Sequence, residues 1–106
     1  MKKILLICSA GASSGFMAKN IRVAAAARGL DFDVFARSDS MLEDYLDDID
    51  FLLVSPHLDF MLDEIKDLVN KKNIPVSLIP KNLFGSLNGA GVLEIILEKL
   101  GGENNE

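Results

Sequence analysis

The sequence predicts an α/β domain, a four-stranded parallel sheet with helices on both faces. Short apolar runs alternate along the chain with longer segments whose apolar residues recur at helical spacing. Strands that alternate with helices pair in parallel through right-handed crossovers. The chain has 106 residues, 49% of them hydrophobic, which suits one compact domain and is too short for two. We expect this domain over residues 1–102 and a polar tail over 103–106.

The first half of the chain contains two predicted strands and a long helix. Residues 4–7 are a continuous apolar run, typical of a strand buried on both faces. A loop of small residues over 11–15 leads into an amphipathic helix that is predicted to end at Gly29. Acidic and apolar residues alternate over 31–36, which indicates a second strand at the sheet edge. Residues 38–48 predict a loop with a short helix and a solvated acidic face.

The second half repeats the alternation. Residues 49–55 form a third apolar strand, and Pro56 is suited to the first turn of the helix that follows it. A short fourth strand over 74–80 lies between two prolines. A glycine-containing loop is expected over 81–91, followed by a final amphipathic helix that ends at the glycine pair 101–102.

This pattern predicts the strand order 2-1-3-4, a small flavodoxin-like layout. In such sheets ligands bind beyond the carboxyl ends of the strands, where the winding direction reverses. With this order the reversal lies between strands 1 and 3. Cys8 leaves the end of strand 1, and Pro56 and His57 leave the end of strand 3.

Composition excludes several classes of function. The chain has 16 acidic and 11 basic residues, a net charge of −5, which argues against nonspecific nucleic-acid binding. It contains no apolar run near the roughly 20 residues that cross a bilayer. The apolar run before Cys8 is too short for a signal peptide, and the bulky Ile7 argues against a lipoprotein site. With one cysteine and one histidine we expect no metal, and without nucleotide glycine motifs no cofactor.

The segment CSAGASSG, residues 8–15, has the composition of an anion-binding loop. A loop from a buried strand into a helix directs backbone amides toward one point, and the helix N-terminus adds partial positive charge. Cys8 at its mouth suits a nucleophile that accepts a phosphoryl group. The predicted phosphate-binding residues are Ser9, Ala10, Gly11, Ala12, Ser13, Ser14 and Gly15. The alternative is a core cysteine followed by a tight turn.

Two families with a strand–cysteine–loop–helix phosphate cradle are similar to this segment. The low-molecular-weight tyrosine phosphatases require an arginine six residues after the cysteine, where this chain has Ser14, and an Asp-Pro motif that it lacks. The second family is the IIB component of the phosphoenolpyruvate-dependent sugar phosphotransferase system, lactose/cellobiose type. The chain resembles it in three motifs in order, KKILLICSAGASSG, FLLVSPHLDFMLDEIK and LFGSLNGAGVLEII.

The IIB resemblance implies a cytoplasmic phosphocarrier enzyme. Cys8 would accept a phosphoryl group from the phosphohistidine of a IIA protein and pass it to a sugar held by the membrane IIC permease. The missing arginine suits a carrier that must keep its phosphocysteine from water. The alternatives are a phosphatase- or arsenate-reductase-like enzyme and a noncatalytic ligand-binding module.

The resemblance also suggests roles for residues outside the loop. His57 stands beside Pro56 where this family is expected to have an amide, so it either contacts the phosphoryl group or a partner, or simply faces solvent. Phe16 and Met17 are docking or core residues, and we expect Met17 to be core.

Overall fold

The four strands form one parallel sheet. The computed structural model describes residues 1–9 and 13–104, with side chains through residue 101. The strands are β1 (Lys2–Cys8), β2 (Phe32–Ser38), β3 (Phe51–Val54) and β4 (Val76–Leu78). They pair in the order β2-β1-β3-β4, with every neighbouring pair parallel. The predicted fold class and strand order are confirmed.

Each strand is followed in the chain by at least one helix. They are α1 (Ser14–Ala27), α2 (Leu42–Tyr45), α3 (Leu62–Asn70), α4 (Lys81–Gly85) and α5 (Gly89–Asn104). Tight 3₁₀ turns precede α2 and α3, at Asp39–Met41 and Pro56–Met61. None of the helices in the described residues is both long and apolar enough to cross a membrane.

The apolar run of β1 supplies the centre of two cores. Ile4, Leu6 and Cys8 join the cluster that contains buried residues of α1 and α5. Leu5 and Ile7 join the cluster on the opposite face, with residues of α2 and α3. Successive strand residues point to opposite faces, so a run that is apolar at every position needs cover on both. Helices therefore pack on both faces of the sheet, as predicted.

The packing of α1 against α5 depends on a close backbone approach. A Cβ atom at Gly89 would lie 2.4 Å from the carbonyl carbon of Asn20, inside van der Waals contact. The Asn20 side chain donates a hydrogen bond of 2.9 Å to the carbonyl oxygen of Leu87, which has a positive φ of 54°. These contacts fix the N-terminus of α5 on α1, and α1 follows Cys8 in the chain.

The loop prediction for residues 81–91 is wrong in part, because α4 and the first turn of α5 lie there. Buried Phe84 anchors α4 in the core. Asn88 caps α5, since its Oδ1 accepts a hydrogen bond of 2.9 Å from the amide of Gly91. The glycines lower helix propensity, but the buried anchor and the cap outweigh that preference.

Three helix boundaries differ from the expectation. The helix after β1 already begins at Ser14, within the predicted loop. The helix after β3 is preceded by a 3₁₀ turn, in which Leu58 has non-helical φ and ψ of −104° and 18°. The last helix continues through Gly101 to Asn104. Gly29 ends α1 with a positive φ of 75°, whereas Gly101 keeps the helical conformation, so a glycine by itself does not end a helix.

Candidate functional site

Cys8 lies at the carboxyl end of β1, against the start of α1. It is the last residue of the strand and pairs in register with Ser38 of β2. The side chain is only 5% exposed. Its Sγ lies 2.6 Å from the Oγ of Ser14, the buried first residue of α1. Strand and helix thus bring the thiol and a hydroxyl into direct contact.

The first turn of α1 directs backbone amides toward this end of the sheet. The carbonyl oxygen of Ser13 accepts hydrogen bonds from the amides of Phe16 and Met17, at 3.1 and 3.2 Å. The amides of Ser14 and Gly15 precede them, and the first amides of an α-helix have no partner within the helix. Together with the helix dipole, such amides favour a bound anion. Helix α1 has 14 residues, which is long enough for its peptide dipoles to add up at this N-terminus.

An open cavity of about 220 Å³ adjoins the thiol. Its lining residues come from the ends of β1 and β2 and the start of α1: Cys8, Ser9, Ser14, Gly15, Ala36, Arg37 and Ser38. Of the predicted phosphate-binding residues, Ser9, Ser14 and Gly15 therefore meet at one cavity. Ser13 is exposed and precedes α1 as its N-cap. The predicted contacts of Ala10, Gly11 and Ala12 lie outside the described residues.

The contribution of β2 to this cavity was missed by the sequence reasoning. Ser38 pairs with Cys8 in register, and Arg37 pairs with Ile7. The Arg37 guanidinium is already engaged, because Nε donates to the Tyr45 hydroxyl at 2.9 Å and the group stacks over Phe35. The strand order alone could have found both residues, since it places the end of β2 beside the end of β1.

The turn after β3 holds His57 in a defined orientation. Ser55 is fully buried, and its Oγ lies 2.9 Å from Nδ1 of His57. The imidazole packs edge-on against Phe84, with ring centroids 5.4 Å apart. A cleft of about 410 Å³ opens here, lined by Pro56, His57, Asp59, Lys81, Phe84 and Gly85. The buried Pro56 and exposed His57 thus lie in a second cavity beyond the carboxyl ends of the strands.

Exposed apolar side chains occur in the segments that follow three of the strands. Phe16 is 66% exposed, Phe60 78% and Met41 37%. They follow the carboxyl ends of β1, β3 and β2 respectively. Met17 is fully buried in the core, as expected. The exposure of Phe16 is compatible with the predicted docking role, whereas Phe60 and Met41 were not singled out from the sequence.

Residues 3–95 match the family model of the PTS system, Lactose/Cellobiose specific IIB subunit. The chain belongs to this family. It is 30% identical over 97 residues to the galactose-specific EIIB component of Lactococcus lactis subsp. cremoris, covering 87% of this chain and 90% of that one. It is 27% identical over 94 residues to the oligo-beta-mannoside-specific EIIB component of Bacillus subtilis, covering 89% and 91%.

Solved structures of IIB components share the fold. The cellobiose-specific IIB component of Borrelia burgdorferi superposes with a TM-score of 0.77 at 25% identity, covering 95% of this chain and 93% of that chain. The lactose-specific IIB domain of Streptococcus pneumoniae gives 0.84 at 17% identity, covering 92% and 96%. The protein is therefore a IIB component of a sugar phosphotransferase system. As such it is a phosphocarrier and an enzyme of the transferase class.

Proposed function

We propose that Cys8 is the residue of this IIB component that carries the phosphoryl group. The observation that supports this most directly is the position of its Sγ, 2.6 Å from Ser14 Oγ at the N-terminus of α1. A phosphoryl group on Sγ would lie where helix amides and hydroxyl groups can bind its oxygens. Ser9, Ser13 and Gly15, with Ala10, Gly11 and Ala12 of the same loop, complete the proposed phosphate site.

The proposed relay has two displacement steps. In the first, Sγ attacks the phosphorus of a IIA phosphohistidine, so that the P–N bond breaks and a P–S bond forms. The thiol proton passes to the imidazole nitrogen that carried the phosphorus. In the second, a sugar hydroxyl on IIC attacks the same phosphorus, the P–S bond breaks, and the hydroxyl proton returns to sulfur. Cys8 is nearly buried, which limits the access of water to the phosphocysteine between the two steps.

The exposed apolar residues support a protein-docking role for this edge. Exposed apolar side chains that cluster in one patch can mark a protein-interaction site, whereas single scattered ones are ordinary. Phe16 is in the first turn of α1, two residues after Ser14, so a protein that reaches Cys8 would meet its ring. We assign Phe16 to the surface that meets the IIA and IIC partners in turn, at the cytoplasmic side of the membrane.

We propose a sugar of the lactose/cellobiose class as the final acceptor. The matching family is described by these sugars, whereas relatives at 30% and 27% identity are specific for galactose and oligo-beta-mannoside. Relatives of nearly equal identity thus differ in their sugar. We therefore propose a class of sugars and not one compound. The variation among relatives also suits a relay in which IIC makes most of the contacts with the sugar.

The site of phosphorylation tests this proposal. The chain has one cysteine and one histidine, and P–S and P–N bonds are distinguished by ³¹P NMR. Incubation with phosphoenolpyruvate, the general carriers and IIA should give a P–S signal in the wild type and in His57→Gln. Cys8→Ser should keep the fold but give no P–S signal and no transfer to sugar, because an unactivated hydroxyl is a poor nucleophile. A P–N signal on the wild-type protein after it is separated from its phosphohistidine donors, or hydrolysis of an aryl phosphate by the protein alone, would contradict the relay.

A further inference from the structure

A buried hydroxyl holds one nitrogen of the His57 ring. Ser55 has no exposed surface, and its Oγ lies 2.9 Å from Nδ1 of His57. The same Oγ accepts a hydrogen bond from the backbone amide of His57, at 3.3 Å. The Ser55 Oγ therefore contacts both the backbone amide and the ring of His57, two residues later in the chain.

The hydrogen atoms of this pair can be assigned from donor and acceptor capacity. A serine hydroxyl has one donor and two acceptor lone pairs, and the amide of His57 uses an acceptor. Among the described residues, Nδ1 is the only other hydrogen-bond partner of Ser55 Oγ. If Nδ1 carried the proton, the buried hydroxyl hydrogen would lack an acceptor there, which costs about 1–3 kcal/mol. The hydroxyl therefore donates to Nδ1, and the neutral ring carries its proton on Nε2.

A second contact fixes the plane of the ring. The imidazole meets the ring of Phe84 at an interplanar angle of 78°, and Phe84 is only 5% exposed. Phe84 packs against the ring in this T-shaped arrangement and Ser55 contacts Nδ1, so among the described residues Nε2 is the ring nitrogen without a hydrogen-bond partner. The ring lines the 410 Å³ cleft, with Lys81 and Asp59 also in its wall.

Ser55 lies directly beside Cys8. It follows Val54, which pairs in register with Ile7, and its amide donates to the Ile7 carbonyl at 3.0 Å. Cys8 is the last residue of β1, and Ser55 directly follows the last residue of the neighbouring parallel strand β3. The turn that carries His57 therefore begins beside the end of β1, although Cys8 lines the 220 Å³ cavity and His57 the 410 Å³ cleft.

We propose that Ser55 is a positioning residue, which fixes His57 as the Nε2–H tautomer. In this state His57 donates a hydrogen bond to a phosphoryl oxygen and does not accept the phosphoryl group itself. Capture by the ring would form a P–N bond at Nε2 and break the P–S bond, with the ring proton, by then on Nδ1, passing to sulfur. Attack needs a lone pair on Nε2, so the proton would first have to move to Nδ1, where the Ser55 hydroxyl opposes it. The donor role rests on the proposed relay, whereas the tautomer does not.

The tautomer is tested without any partner protein. His57 is the single histidine of the chain, so its ring nitrogens are unambiguous in a ¹⁵N NMR spectrum. At pH about 8, above the ordinary histidine range near 6.5, Nδ1 should have the shift of an unprotonated nitrogen and Nε2 that of N–H. Ser55→Ala should give an averaged mixture of both tautomers. Ser40→Ala, which removes an exposed hydroxyl elsewhere, should match the wild type. An Nδ1–H ring in the wild type would overturn the assignment, and this test needs no variant to fold.

The functional consequence is tested with the full relay. We expect Ser55→Ala to lower the rate of transfer through phosphocysteine about 10-fold, the effect of one hydrogen bond to a charged group. In Ser55→Ala separated from IIA and the general carriers, a P–N signal should appear, and it should disappear when His57→Gln is added. If phosphocysteine forms but Ser55→Ala transfers at the wild-type rate and shows no P–N signal, the positioning role is wrong. If the wild type forms no phosphocysteine, the proposed function fails, while the ring spectrum still decides the tautomer.

Discussion

Gly89→Ala should destabilise the domain through a clash between two helix backbones. A Cβ atom at this position would meet three backbone atoms, with Asn20 C at 2.4 Å and Asn20 O and Ile21 N at 2.6 Å. Ordinary van der Waals contact of a Cβ begins at 3.4 Å. The atoms that must give way are backbone, not the ends of flexible side chains. The start of α5 therefore has to move from α1 by about 1 Å.

The expected loss is about 1–3 kcal/mol of unfolding free energy, the usual cost of overpacking. Movement of this helix end also strains the hydrogen bond from Asn20 to the Leu87 carbonyl, whose net value is about 1 kcal/mol. The gain in helix propensity from glycine to alanine offsets up to about 1 kcal/mol. For a domain of this size, each kcal/mol lowers Tm by about 4–8 °C.

Urea unfolding followed by circular dichroism measures this change. The matched control is Gly101→Ala in the same helix, because a Cβ there meets nothing within 4 Å. The control should be neutral or slightly more stable than the wild type. If Gly89→Ala is as stable as Gly101→Ala, the close approach of α1 and α5 is not a constraint on the fold, and the reasoning is refuted.

Three further predictions concern the site. Ser14→Ala removes the hydroxyl beside Sγ, and stopped-flow phosphorylation by IIA should slow about 10-fold; an unchanged rate would exclude a role for that hydroxyl. Phe16→Ser should leave the unfolding free energy within about 0.5 kcal/mol but raise the KM for IIA. Val23→Ser, at an exposed position further along α1, is its control, and equal KM values would remove Phe16 from the docking surface. Gly11→Val should impair phosphoryl acceptance more than Ser13→Ala, which leaves the backbone amides intact; the reverse order would argue against an amide cradle.

The sheet and the position of Cys8 could be predicted because they depend on local patterns. A strand that is apolar at every position must be buried on both faces, and residues 4–7 have this pattern next to the thiol. Alternation of strands and helices then sets the topology. Residues 81–91 could not be predicted in the same way. Their glycines indicate a loop, while the burial of Phe84 and the cap from Asn88 depend on tertiary contacts.

The parts of the site that were missed depend on which residues meet across strands. Arg37 and Ser38 reach the Cys8 cavity only because β2 pairs with β1 in this register. The position of His57 next to strand 3 was visible in the sequence, but its contacts with Ser55 and Phe84 were not. A two-residue spacing does not reveal that one hydroxyl is fully buried and the ring beside it exposed.

The charge around Cys8 suits a phosphoryl group that must leave again. A fixed arginine beside the phosphorus would stabilise the transition state for attack by any nucleophile, including water. Position 14, where the phosphatase signature requires that arginine, holds a buried serine in contact with Sγ. Among the described residues, Arg37 is the one basic side chain that lines the cavity, and its guanidinium is engaged by Tyr45 and the Ala36 carbonyl. On the proposed relay, Cys8 therefore holds the group through neutral donors, the helix amides and the Ser14 hydroxyl.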